Sequence, residues 1–132
     1  MPQPFVRIAV QLVSIRPDWV VLPFVVDTGA AFTCIHALDA TRSFEMSPAS
    51  LDRAGWSASV PVGGIGGGQL YLARPANYAF QRDDGELELF TGTVRIGELR
   101  TQATPALLGW DLLRFFRTVT NGRERTVTLD RL

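Results

Sequence analysis

Apolar and polar residues alternate imperfectly from Phe5 to Ile15, and Val, Ile and Leu dominate the run. A period near two with β-branched residues predicts a strand. Arg16-Pro17-Asp18 is a turn signal, and Trp19 to Val26 is almost wholly apolar, so a second strand completes an N-terminal hairpin. Apolar residues resume at Phe32-Thr33-Cys34-Ile35. The rhythm breaks over residues 37–58. There Ser47 as N-cap, Pro48 at the first helical position and Gly55 past the end predict a short helix. Residues 57–62 and 69–80 predict two hairpin arms around a glycine cluster. Asp83-Asp84-Gly85 predicts a turn, 86–90 and 93–96 two strands, 103–108 a short strand, and Leu112 to Arg117 a helical turn or two. Asn121-Gly122 predicts a tight hairpin turn joining residues 118–120 to 126–129. The class is all-β, a small closed barrel or sandwich with one or two short helices.

Length and charge narrow the functional classes. The chain of 132 residues predicts one domain, residues 1–132. Thirteen basic and thirteen acidic residues balance, so nothing points to nucleic acid or an anionic membrane as partner. Every basic residue is arginine, which removes lysine Schiff-base chemistry and the P-loop lysine together. The single cysteine, Cys34, excludes an internal disulfide. No basic n-region precedes the first apolar residues and no apolar run approaches a membrane span, so the expected location is cytoplasmic.

Three motifs carry the chemistry. Asp27-Thr28-Gly29-Ala30 directly follows the apolar run 20–26. It places one carboxylate at the end of a strand that reads as buried, where an acid is costly unless its presence serves something. Gly29 is expected to take backbone angles closed to other residues. The plain alternative is a turn aspartate that caps Gly29 and its neighbours. Pro61-Val62-Gly63-Gly64-Ile65-Gly66-Gly67-Gly68 is the second motif. It is not a phosphate loop, because the spacing is not G-x-G-x-x-G, no lysine follows, and strand rather than helix comes next. The third is Ala106-Leu107-Leu108-Gly109-Trp110-Asp111-Leu112-Leu113. Asp111 is expected to cap the helix beginning at Leu112. Cys34 and His36, two apart on an expected strand, share a face, and with no other Cys or His in the chain their expected role is packing.

In this order, across most of residues 20–117, the motifs resemble the aspartic-protease loop, glycine-rich flap and hydrophobic-hydrophobic-Gly signature of the retropepsin-like aspartic proteases. The resemblance implies a closed β-barrel of the acid-protease type with a flap hairpin. It also implies a homodimer acting on a peptide or protein substrate, with no cofactor and no metal. One Asp-Thr-Gly per chain makes half a site, so the second aspartate must come from another copy. Asp27, Thr28 and Gly29 become the expected catalytic residues, with Thr28 tying the two loops across the interface. Ala30, Ala31, Gly64, Ile65 and Gly66 become the expected substrate-binding residues, with Ile65 at the flap tip. Leu22, Val26, Val62, Ile65 and Leu108 are expected to wall an apolar cleft, and residues 37–58 to form an insertion beside it. Two departures stand out. Ala31 and Trp110 occupy the places of an acid and an arginine that pair in the retroviral enzymes, so both partners are absent together and no charge is stranded. The contrasting readings are a catalytically silent peptide- or protein-binding dimer and a structural domain related to a larger polyprotein.

Overall fold

Alternation decides which side of each strand is packed. In the computed structural model, which describes residues 5–47, 59–62, 69–97 and 105–132, strand β1 (Phe5–Leu12) turns Ile8, Val10 and Leu12 inward. Strand β2 (Val20–Val26) buries Leu22 and Phe24 and exposes Val21 and Pro23. The two pair antiparallel from Phe5↔Val25 to Val10↔Val20. After β2 come β3 (Cys34–Ile35), helix α1 (Ala37–Arg42), β4 (Ser59–Val62), β5 (Gln69–Gln81), β6 (Leu87–Gly97) and β7 (Ala106–Leu108). A single helical turn, α2 (Trp110–Leu113), and a hairpin of β8 (Phe116–Asn121) and β9 (Thr126–Arg131) complete the order.

Six strands close on themselves in the order β1-β2-β7-β3-β6-β5, with β5 returning to β1. The sandwich is thereby excluded and the fold is a small closed barrel with few short helices. Strand β4 is added to the edge of β5, opposite residues 69–72, while β1 uses the same edge at 76–79. Pro75 lies in the gap between these partners. Its carbonyl faces that edge and accepts the Val13 N–H at 3.3 Å, so its missing N–H falls where no strand asks for a donor. The core is filled by Ile8, Val10, Leu12, Phe24, Leu72, Val94, Ile96, Leu108 and Leu113. Tyr78 is buried among them and donates its hydroxyl to the Thr93 carbonyl at 2.8 Å; burial pushes its ionisation well above the ordinary phenol range. Phe116 packs its ring 5.0 Å from that of Phe80, and Phe115 stacks 5.2 Å from Phe90, which fastens the C-terminal hairpin to the barrel. Phe116→Ala should therefore cost about 3–5 kcal/mol in urea unfolding, the range for emptying a buried phenylalanine site.

Several sequence expectations give way to the packing. Residues 86–90 and 93–96 form one strand, β6, because Gly92 sits in unbroken register against Ala76 of β5. Helix α1 falls where no helix was expected. Its N-cap is His36, whose Nδ1 accepts the Leu38 N–H at 3.1 Å while Asp39 reaches back to the His36 N–H at 3.4 Å. This is a capping box built from His and Asp rather than Ser or Thr and Glu. His36 is consequently not on β3 beside Cys34, and its buried ring serves to start a helix. The expected helix over 47–55 lies, beyond Ser47, outside the described residues, as do residues 103 and 104 of the expected strand before Gly109. The hairpin expected at Asn121-Gly122 does join the expected arms, through a four-residue rather than a two-residue loop. Asn121 pairs with Thr126, residues 122–125 make the loop, and Arg125 takes the left-handed conformation at φ 56°.

Candidate active site

Parallel pairing of β2 with β7 fixes where Asp27 stands. Val26 lies opposite Leu108, and the next N–H, that of Asp27, donates to the Leu108 carbonyl at 3.1 Å. The chain then turns tightly. Ala30 N–H donates to the Asp27 carbonyl at 3.1 Å, and Gly29 N–H donates to Asp27 Oδ1 at 2.8 Å. Asp27 is half-buried, whereas Thr28 and Gly29 are exposed. Gly29 does not use a positive φ, contrary to expectation; among the described glycines only Gly85 does. A Cβ here would stand 3.2 Å from Asp27 Oδ1, a tight contact to which the carboxylate would have to yield. No bond within the described residues reaches the Thr28 hydroxyl or the Ala31 N–H.

Helix α2 grips this loop from behind. Trp110 N–H donates to the Ala30 carbonyl at 3.0 Å and Asp111 N–H to that of Ala31 at 3.2 Å. The Trp110 indole N–H reaches the Thr28 carbonyl at 2.6 Å. The helix begins two residues earlier than expected, with Gly109 as N-cap, so Asp111 lies inside its first turn. Asp111 Oδ1 accepts the Leu112 N–H at 2.9 Å and also the backbone N–H and hydroxyl of buried Thr33, at 3.0 and 2.6 Å. The Thr33 hydroxyl in turn accepts the Gly109 N–H at 3.1 Å. Asp111 thus ties two chain segments together rather than serving as a second acid beside Asp27. We expect Asp111→Ala to destabilise the fold by about 2–4 kcal/mol, because it strands two buried donors of Thr33. Asn, which retains an acceptor oxygen, should cost less; denaturant midpoints of the two variants provide the check.

Of the other expected site residues, Ala30 and Ala31 lie in this loop, while Gly64, Ile65 and Gly66 fall outside the described residues. Their flanking arms, β4 and β5, do form the hairpin, with Val62 opposite Gln69. Two expected cleft walls are corrected. Leu22 and Leu108 point into the barrel and are buried in its core, whereas Leu107, between Ala106 and Leu108, is only half-buried. An apolar groove of about 380 Å³ lies instead along the outer side of β1 and β2, lined by Phe5, Arg7, Val21, Pro23, Val25 and Pro105. A larger hollow of about 820 Å³ lies against the C-terminal hairpin and contains none of the expected site residues. Two of its arginines, Arg82 and Arg131, already pair with Glu88 at 3.5 and 3.8 Å.

Cys34 is half-buried beside the site, and desolvation pushes its thiol up to about 11. At pH 8 only about one thiol in a thousand is therefore ionised, and iodoacetamide should alkylate the folded chain far more slowly than the unfolded one. Among the described residues no group of three or more His, Cys, Asp or Glu could hold a metal ion, and no helix is long and apolar enough to cross a membrane.

No protein-family model matches the sequence, and no curated protein matches it. Among solved structures, the chain is similar to the EIAV protease complexed with the inhibitor HBY-793, with a TM-score of 0.53 and 14% identity over 86% of each chain. It also aligns with the retroviral protease-like domain of Ddi1 from Leishmania major, at 17% identity and a TM-score of 0.47, covering 99% of this chain and 92% of that one. The closed six-strand barrel is an acid-protease fold. Within that class it is retropepsin-like.

Proposed function

We propose that this chain, as a single domain, is one half of an aspartic endopeptidase completed by a second copy. The observation that carries the reading is the Asp27 loop. One carboxylate stands at the mouth of the barrel, oriented by the Gly29 N–H and flanked by exposed Thr28 and Gly29. Two such carboxylates brought face to face by two-fold symmetry cannot both ionise and share one proton. The ionised partner takes a proton from a water as its oxygen attacks the scissile carbonyl carbon. The protonated partner gives its proton to the carbonyl oxygen. The carboxyl that took the water proton passes it to the amide nitrogen, the C–N bond breaks, and the other carboxylate regains a proton from the geminal hydroxyl, with no covalent enzyme adduct. Thr28, whose hydroxyl has no bond among the described residues, would fasten one loop to the other. The Ala31 N–H, unbonded among the described residues, would hold an extended peptide main chain, and Gly64, Ile65 and Gly66 would cover it.

The free, half-buried Cys34 fits a reducing compartment such as the cytoplasm.

A second reading has its own observation. The Asp27–Gly29 bond is also what a purely structural turn aspartate makes, as in a silent binding dimer. Cleavage separates the two. Activity per mole should fall on dilution in step with dissociation measured by sedimentation on the same samples. A chain that is monomeric yet keeps constant activity per mole would refute the shared site. The pH profile should be a bell, since only the singly protonated pair works. Activity that instead rose steadily into alkaline solution would require a different base.

A further inference from the structure

Trp110 is bonded to the Asp27 loop at two points and is 46% exposed. Its exposure is not that of a loose side chain. The indole N–H is bonded to the Thr28 carbonyl and the backbone N–H to that of Ala30, so the ring is held at a fixed angle against the loop. Its polar atom is already satisfied, and what remains open is apolar ring. Thr28, Gly29 and Ala31 are exposed around it. Thr28, Gly29 and Ala31 are themselves uncharged, and the Trp110 ring stands at the margin of their loop. Such a preset ring loses little entropy on being covered, and tryptophan is among the residues that most often dominate an interface.

We propose that Trp110 is covered by the second copy of the chain and anchors the pairing that brings the two Asp27 loops together. This rests on the shared-site reading above. Two carboxylates that share a proton must approach to hydrogen-bonding distance. The two 27–31 loops then touch, and Trp110, 2.6 Å from the Thr28 carbonyl, lies at the edge of that contact. Trp110 is a positioning residue. It touches no reacting atom, and it acts by holding Thr28 on one side and the partner on the other.

The test uses the full chain, with Trp110→Ala and Trp110→Phe beside it. Sedimentation over a dilution series should show Trp110→Ala raising the dimer dissociation constant about 30-fold or more, the size expected of an interface hot spot. Trp110→Phe, which keeps an aromatic ring, should recover most of the pairing. The difference between the emission spectra of the native and Phe proteins isolates Trp110. It should shift to shorter wavelength as concentration passes through the dimer transition. If Trp110→Ala does not fold, this spectral shift and the Phe variant still decide the matter. A native chain that dimerises and cleaves, with no shift in that difference emission and an unchanged constant in a folded Ala variant, overturns the proposal and leaves the protease reading intact. A native chain that stays monomeric at all concentrations overturns both.

Discussion

Asp27→Asn is expected to lower peptide cleavage at least about a thousandfold, within the range assigned to a lost acid–base group, with fold and pairing unchanged. The substitution is nearly isosteric. An asparagine oxygen can still accept the Gly29 N–H that Asp27 Oδ1 accepts at 2.8 Å, and the backbone bond to Leu108 is untouched. What disappears is the ability to hold and pass a proton, and it disappears from both halves of the site at once. Asparagine is itself a good turn residue. A turn aspartate with no chemistry would therefore tolerate the change. Turnover of a mixed peptide library, read beside the unfolding midpoint, distinguishes the cases. Near-native cleavage by the folded variant would end the catalytic assignment.

Gly109→Ala should be the most damaging methyl group that can be added to any of the described glycines. A Cβ at this position would lie 2.5 Å from both the carbonyl carbon and the oxygen of Phe32 and 2.8 Å from its nitrogen. These are backbone atoms, fixed from both sides. Phe32 precedes Thr33, which is held by Asp111, and its ring lies under the Arg95 guanidinium at 3.8 Å from the ring centroid. The methyl group cannot be absorbed by turning a side chain. We expect a loss of about 3 kcal/mol or more, at or beyond the upper end for overpacking, and a chain that is largely unfolded if its stability is ordinary. Circular dichroism and urea titration measure this. A variant within about 0.5 kcal/mol of the native chain would mean that the 27–33 and 109–111 segments are less closely apposed than described.

Much of the barrel was legible because strand alternation is a local signal. Ile8, Val10 and Leu12 announce an inward face, and the apolar run before Asp27 announces a strand delivering it. The Asp27 turn was legible as a motif, though Gly29 does not use the positive φ expected of it; the close approach of Gly109 to Phe32 emerged only from the packing. What failed to show was set by distant partners. Gly92 reads as a break, yet pairing with β5 carries the strand through it. Leu22 and Leu108 read as cleft walls, but the register that closes the barrel turns both inward. His36 is a rare N-cap, visible only once Asp39 is recognised as its reciprocal partner. The bonds from Trp110 to Thr28 and from Asp111 to Thr33 span 82 and 78 residues, and no spacing rule reaches so far.

Two copies of Asp27, one from each chain, are proposed to make one catalytic pair. A crystal structure of the dimer measures this most directly, through the separation of the two Asp27 carboxylates. The oxygens should lie within hydrogen-bonding reach, about 2.5–3.0 Å, astride a two-fold axis with both Trp110 rings covered. A dimer whose Asp27 carboxylates stand far apart and open to solvent, with cleavage still present in the same preparation, would contradict it.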